Sequence, residues 1–191
     1  IIHANLRRPG TAGSESMFLL VVGSDQGVGV GNPVLMRNGR IGLVGVVREV
    51  TRGGAIGLDW SHPDFRASAM TANEETFGLV EPRPGDFPGG NRLLLNAIPY
   101  LERLDPGPLV TTSGLGGVFP RGIPIGEVLE LHEEEGGWRS EYWLRPVVEV
   151  GSVTHVLVVR DEGPAERLLE LLEEERSGEE IDPDSTGGQG I

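Results

Sequence analysis

Short apolar runs recur along this chain at intervals of about 10 to 15 residues, and Gly, Pro, Asn and Asp separate them. Runs of this kind that are rich in β-branched side chains are typical of strands. Asn38-Gly39, between two apolar runs, is a strong hairpin signal. The pattern predicts an all-β fold with eleven strands, at residues 17–23, 33–37, 41–50, 55–59, 65–71, 76–81, 92–98, 109–112, 124–131, 140–148 and 154–160.

Eleven short strands exceed the number in one simple sandwich, and two small closed barrels would use them without long exposed edges. The segment 81–90, EPRPGDFPGG, contains three Pro and three Gly, which interrupt strand pairing. We therefore expect a domain boundary there, with a first barrel at residues 1–88 and a second at residues 89–162. Exchange of one strand between the barrels is compatible with this division.

The sequence pattern changes after residue 162. Pro164 and Glu166 suit the first turn of a helix, and the leucines at positions 168, 169, 171 and 172 form one apolar face. We predict a short amphipathic helix at residues 163–176 and a disordered acidic tail at residues 177–191. Residues 161–191 contain eleven acidic residues and two Arg, so they carry −9 of the net charge of −13 and leave the barrels close to neutral.

Composition excludes several classes of function. The net charge of −13 disfavours sequence-independent binding to nucleic acid or to an anionic membrane, since both need clustered basic residues. The absence of Cys excludes disulfides, thiolate nucleophiles and zinc-thiolate sites. No run reaches the ~20 apolar residues of a membrane-spanning helix, and the chain starts at Ile1 rather than Met. We expect any membrane anchor to lie N-terminal to this fragment.

Few residues suggest a ligand-binding site. The four His, at positions 3, 62, 132 and 155, lack the spacing of metal ligands, so no metal site is predicted. The glycine-rich run at residues 23–31 does not open a helix, and we interpret it as a turn rather than as a phosphate-binding loop. No cofactor is predicted.

The most distinctive segment is TTSGLGGVFPRGIPIG, at residues 111–126. Ser113, beside Gly114, is similar to the nucleophile of a two-barrel protease, which needs a general base that is held by an acid. The upstream candidates, His62 and Asp64, lie on one extended segment, where their side chains diverge rather than form a relay. We therefore predict no catalytic residue, and a degenerate hydrolase that uses Ser113 remains the alternative.

The longer segment 110–128, VTTSGLGGVFPRGIPIGEV, resembles the signature of the MreC family, extracytoplasmic cell-shape proteins of rod-shaped bacteria. Residues 24–34, 40–50 and 58–70 resemble further segments of this family in the same order, and the resemblance covers residues 17–160. The residues that carry the signature are Thr112, Ser113, Gly114, Gly116, Gly117, Phe119, Pro120, Gly122, Pro124 and Gly126.

The resemblance implies a pair of six-stranded β-barrels, preceded by a membrane helix and a coiled coil, on the periplasmic face of the inner membrane. It implies a non-enzymatic scaffold of the cell-elongation machinery that maintains rod shape and self-associates into dimers or filaments. The expected partner is a class B penicillin-binding protein, the peptidoglycan transpeptidase, which the scaffold would activate. Other implied partners are MreD, MreB, RodZ and RodA.

Aromatic residues are scarce in this chain, and those that are exposed would be candidate contacts for such a partner. Packing in the barrel cores or hairpins is the role that we expect of most of them, and Trp138, after Gly136-Gly137, is the one expected to be exposed. The candidates are Trp60 and Phe65 in the first barrel and Trp138, Tyr142 and Trp143 in the second. Exposed Trp faces would also stack on sugars, so a cell-wall carbohydrate-binding module is a further alternative.

Overall fold

The computed structural model describes residues 1–83, 92–99, 103–135 and 139–160. Within them the chain forms twelve strands and two short 3-10 turns, at Ser24–Gln26 and Val150–Ser152. No helix in these residues is long and apolar enough to cross a membrane. The strands are β1 (Ile2–Arg7), β2 (Met17–Leu20), β3 (Pro33–Asn38), β4 (Arg40–Val50), β5 (Ala55–Asp59), β6 (Ala67–Thr71), β7 (Phe77–Arg83), β8 (Arg92–Pro99), β9 (Leu109–Thr112), β10 (Pro124–Glu135), β11 (Arg139–Pro146) and β12 (His155–Val158).

The strands close into two six-stranded barrels. The first has the order β1-β12-β3-β4-β5-β2, and the second has the order β10-β11-β8-β7-β6-β9. Neighbouring strands whose register is defined pair antiparallel. The predicted hairpin at Asn38-Gly39 joins β3 to β4. The all-β architecture of two closed barrels is thus confirmed.

One strand of the first barrel was not predicted. The other eleven overlap the eleven predicted runs, whereas β1 has no predicted counterpart. Ala4 and Leu6 are buried in β1, and the residues between and beside them, His3, Asn5 and Arg7, are exposed. This alternation is the period-two signal of a strand with one buried face, but it is short and contains few β-branched residues.

Strand pairing divides the chain differently from the expected boundary at residue 88. β6 and β7 pair with β9 and β8, so residues 67–83 belong to the second barrel. β12 returns to the first barrel, where it lies between β1 and β3, so one strand is exchanged along the chain. β7 and β8 pair with each other within the second barrel, so the join between the barrels does not fall at residue 88. Pro and Gly mark a turn in either case, and composition does not distinguish a loop within a barrel from a linker between barrels.

Two predicted elements, the helix at residues 163–176 and the tail at residues 177–191, lie outside the described residues.

Inward-facing side chains fill both barrels. Phe18 is fully buried in the first barrel, where its ring lies beside Gly57. A Cβ atom at residue 57 would lie 2.2 Å from Cζ of Phe18. A glycine in this strand therefore makes room for an aromatic ring, a recognised reason for Gly inside a strand.

The chain crosses between the barrels twice, and Trp60 ties the two crossings together. Trp60 follows β5 directly, at the start of the first crossing, and its side chain is buried. Its Nε1 donates a hydrogen bond to the carbonyl oxygen of Val148, on the second crossing, at 2.9 Å. Gly42 of β4 packs against the same region, because a Cβ there would lie 2.6 Å from Cγ2 of Val148.

Arg8 makes a second tie at the same junction. Its guanidinium forms an ion pair with Asp59, whose side chain is fully buried. It also donates to the carbonyl oxygen of Val150 at 2.6 Å and to that of Met17 at 3.2 Å. The ion pair therefore links the end of β5, the chain before β2 and the return crossing.

Trp60→Phe should lower the free energy of unfolding by about 1–3 kcal/mol, because the buried carbonyl of Val148 loses its hydrogen-bond donor. Chemical denaturation of the full chain measures this change. Phe77→Leu is the control, since Phe77 is 40% exposed and surface substitutions usually change stability by less than about 0.5 kcal/mol. An unchanged midpoint for Trp60→Phe would show that the Nε1 bond does not stabilise the junction.

Candidate functional site

The signature segment forms a loop between β9 and β10, and Thr112 closes its base. The Thr112 hydroxyl donates to the carbonyl oxygen of Pro120 and accepts from the amide of Ile123 at 2.9 Å. The Thr112 backbone makes two further hydrogen bonds. Its amide donates to the carbonyl oxygen of Ile123 at 2.9 Å, and its carbonyl oxygen accepts from the amide of Gly122 at 2.8 Å. Since Thr112 is fully buried, these bonds are shielded from water and fix where the loop begins and ends.

Glycines set the path of the loop. Gly114, Gly116, Gly117 and Gly122 all have positive φ, between 71° and 93°, a region in which other residues are strained. Gly116 also approaches β6 closely, because a Cβ there would lie 3.3 Å from Oγ of Ser68. The loop therefore folds onto the outer face of β6.

Ser113 makes one hydrogen bond to β6 and one within the loop. Its amide donates to the carbonyl oxygen of Ser68 at 2.9 Å, and its hydroxyl accepts from the amide of Leu115 at 3.2 Å. The side chain is buried, with 4% exposed. This is a structural serine turn, and its geometry does not present a nucleophile to solvent.

The second half of the loop is anchored by Phe119. Its ring is buried and lies 6.0 Å, centroid to centroid, from the ring of Phe65. Pro120 supplies the carbonyl that Thr112 binds, and Pro124 begins β10. Gly126 allows close pairing in β10, because a Cβ there would lie 2.7 Å from the Arg145 carbonyl oxygen.

The tip of this anchored loop is apolar and exposed. Leu115 is 63% exposed and Val118 is 49% exposed. Phe77, 40% exposed, lies on the outer face of β7, opposite Met70 and one strand away from the loop's contact at Ser68. We call the two exposed side chains of the loop, Leu115 and Val118, the loop patch. Exposed apolar side chains on a rigid support are typical of protein-binding surfaces.

An ion pair flanks the loop patch. Arg121 and Glu74 approach to 2.5 Å, and both are about half exposed. Surface pairs of this kind contribute little to stability.

Far from this loop, hydrogen bonds from the backbone amides of Glu15 and Gly13 lower the pKa of the Glu15 carboxyl.

Four of the five aromatic candidates for partner contact lie in the interior. Trp60, Phe65, Tyr142 and Trp143 are each 6% exposed or less. The Tyr142 hydroxyl accepts from the amide of Leu104 at 3.1 Å, and the Trp143 ring lies 4.3 Å from that of His132. Burial removes these four as candidate contacts for a partner, and they have the packing role that was expected of most aromatic residues. Trp138 lies outside the described residues.

The residues of the hydrolase alternative do not form a relay. Nδ1 of His62 accepts from the amide of Asp64 at 3.1 Å, whereas the bonds of Ser113 run to Ser68 and Leu115. Nucleophile activation needs a base within hydrogen-bond reach. Within the described residues, no three His, Asp or Glu side chains come close enough to hold a metal ion.

The loop patch was not predicted from the sequence, because the candidate contacts were all aromatic and its side chains are aliphatic. A signal was nevertheless present, since Leu115 and Val118 are apolar residues flanking a Gly-Gly turn. Turn tips are normally solvent-exposed, so apolar residues there mark a surface.

The sequence of the two barrels matches the model of a known protein family. The family model described as "Rod shape-determining protein MreC, barrel core" matches residues 9–160. The chain belongs to the MreC family. The resemblance carried by the 110–128 segment is therefore confirmed.

Curated MreC relatives are longer than this chain. The cell shape-determining protein MreC of Listeria monocytogenes is 29% identical over 151 residues, which are 76% of this chain and 48% of that protein. The MreC of Caulobacter vibrioides is 35% identical over 121 residues, 61% of this chain and 31% of that protein. The chain thus spans about half or less of the length of these relatives.

Solved MreC structures share the fold. The MreC structure from Listeria monocytogenes has a TM-score of 0.75 and 25% identity, and the match covers 85% of this chain and 76% of that one. A complex between the penicillin-binding protein PBP2 and MreC from Helicobacter pylori has a TM-score of 0.62 and 17% identity, over 84% of this chain and 99% of that one. At 17% identity this second likeness supports the fold alone.

Thr112→Val should destabilise this MreC barrel core by about 1–3 kcal/mol, because the hydroxyl that joins Pro120 to Ile123 is lost from a buried site. Hydrogen exchange of residues 113–123 and chemical denaturation measure the change. Thr111→Val is a matched control, since the Thr111 hydroxyl is buried with no hydrogen-bond partner. Equal effects of both substitutions would contradict the role of Thr112.

Proposed function

We propose that this MreC barrel core is a non-enzymatic cell-shape scaffold that binds a class B penicillin-binding protein through the loop patch. The observation that carries the proposal is the exposure of Leu115 and Val118 on a loop whose base is buried and hydrogen-bonded. A preformed loop loses little conformational entropy on binding, so apolar contact at its tip is converted efficiently into affinity.

The class of partner is supported by a structural relative. The MreC of Helicobacter pylori forms a complex with the penicillin-binding protein PBP2 and has the same two-barrel fold. The periplasmic domain of a related MreC has also been solved. These relatives support an extracytoplasmic location, and we propose that the chain lies at the inner membrane, where a transpeptidase acts on the cell wall.

Apolar contact, rather than charge, would drive the association. The loop patch lies beside the balanced Arg121–Glu74 pair, and residues 1–160 carry only −4 of the net charge of −13. Association of this kind depends weakly on ionic strength.

The proposal extends to activation of the transpeptidase, and to MreD, MreB, RodZ and RodA as further members of the assembly. A scaffold activates an enzyme only if it binds the active conformation more tightly than the inactive one. The loop patch would do so by contacting a surface of the transpeptidase that differs between the two conformations.

Replacement of the apolar tip by Leu115→Asp with Val118→Asp should weaken binding to a purified class B penicillin-binding protein by about tenfold or more, the effect of losing a contact that contributes strongly to binding. Biolayer interferometry with the full chain measures the affinity. Leu131→Asp is the control, since Leu131 is 44% exposed on β10 of the same barrel. Unchanged affinity in the double variant, or equal weakening by Leu131→Asp, would contradict this surface.

Self-association is the remaining part of the proposal. Near-neutral barrels repel one another weakly, whereas residues 161–191 carry −9. The sedimentation coefficient of the full chain should therefore rise with protein concentration, and more steeply at higher salt, which screens the acidic segment. A coefficient that is independent of concentration would contradict self-association of this chain.

A further inference from the structure

The strand β2 carries apolar side chains on both of its faces. Phe18 and Leu20 point into the first barrel and are buried, whereas Leu19 and the following Val21 are 39% and 58% exposed. An antiparallel strand with one solvated face normally alternates apolar and polar residues. The outer face of β2 departs from that alternation and is therefore a candidate contact surface.

The apolar face continues across neighbouring strands as an open groove. Leu19 pairs with Ile56 of β5 on one side and with Arg7 of β1 on the other. Glu49 of β4 pairs with Ile56 at the far edge. The groove has a volume of about 360 Å³, and the hairpin at residues 51–54 contributes to its wall.

The chain leaves the first barrel near this hairpin. β12 ends at Val158, and the side chain of Arg160 packs beside Gly27, where a Cβ would lie 3.1 Å from Cδ of Arg160. The adjacent turn at Ser24–Gln26 is hydrogen-bonded to the hairpin. The Ser24 amide donates to the carbonyl oxygen of Thr51 at 2.9 Å, and the Asp25 amide donates to the carbonyl oxygen of Arg52 at 3.1 Å. The chain therefore leaves the barrel at the same end at which the hairpin of the groove lies.

The sequence that follows has a complementary composition. Residues 161–176 contain seven acidic residues and two Arg, and the leucines at 168, 169, 171 and 172 are spaced for one apolar face. Arg7 lines the groove and Arg52 lies in its hairpin, and neither makes an ion pair with another described residue. Seven residues lie between Arg160 and Leu168, which gives a reach of at most about 29 Å, sufficient to cross the face of a small barrel.

We propose that residues 164–172 bind in cis to this groove and form a strap across the first barrel. The apolar lining of the groove, Leu19, Val21 and Ile56, suits the leucines of this segment, and Arg7 and Arg52 suit its acidic residues. The strap holds β12, the strand that returns from the second barrel, to the rest of the first barrel. This contact is independent of the loop patch, which belongs to the other barrel.

Trypsin cleavage of the full chain after Arg167 tests the strap, because protease access requires the segment to leave the groove. Val21→Asp places a carboxylate in the apolar contact and should accelerate this cleavage by about tenfold. Val30→Asp is the control, since Val30 is 67% exposed outside the groove lining and its substitution should leave the rate unchanged. Leu172→Asp, on the other side of the contact and away from the cleaved bond, should accelerate cleavage as Val21→Asp does.

Equal cleavage rates in the parent chain and in Val21→Asp would overturn the strap. Protection of Arg167 that rises with protein concentration would also overturn it, since the groove would then bind a second copy. Val21→Asp is not expected to unfold the barrel, because Val21 is more than half exposed, and an unchanged denaturation midpoint verifies this. Binding of the penicillin-binding protein is measured separately and depends on neither outcome.

Discussion

The contact between the two chain crossings is the constraint on which the rest of the structure depends. The chain leaves the first barrel at Asp59 and Trp60 and returns past Val148 and Val150, and side-chain bonds join these two segments. These bonds position the returning chain, so that β12, which is distant in sequence from β1 and β3, pairs between them. A buried Arg–Asp pair gives little net stability, but loss of one partner is costly. The pair formed by Arg8 therefore specifies the arrangement more than it stabilises it.

The signature loop reverses the usual distribution of polarity. Its base, at Thr112 and Ser113, is polar and buried, and its tip, at Leu115 and Val118, is apolar and exposed. Buried hydrogen bonds with complete partners make a segment rigid, and positive-φ glycines allow the sharp path that brings the tip onto β6. The recognisable part of the sequence is thus the support, whereas the surface that we propose for binding consists of ordinary aliphatic residues.

Charge and apolar surface are segregated along the chain. The barrels are nearly neutral and expose aliphatic side chains on both, at the loop patch and at the groove beside β2. The acidity lies in the C-terminal segment. A segment that is both acidic and leucine-rich is suited to cover a groove bordered by Arg7 and Arg52, and this leaves the loop patch of the other barrel available to a partner protein.

The sequence by itself determined the strand content, the closed all-β architecture and the family, because alternation and turn residues are local and the 110–128 segment is distinctive. In β1, Ala4 and Leu6 also alternate with polar residues, but this pattern is too short to have been predicted as a strand. Only the tertiary structure decided that β6 and β7 belong to the second barrel and β12 to the first, since pairing joins residues far apart in the chain. It also decided that Trp60, Phe65, Tyr142 and Trp143 are buried while Leu115 and Val118 are not. Exposure depends on what packs against a side chain, and hydrophobicity alone does not specify that neighbour.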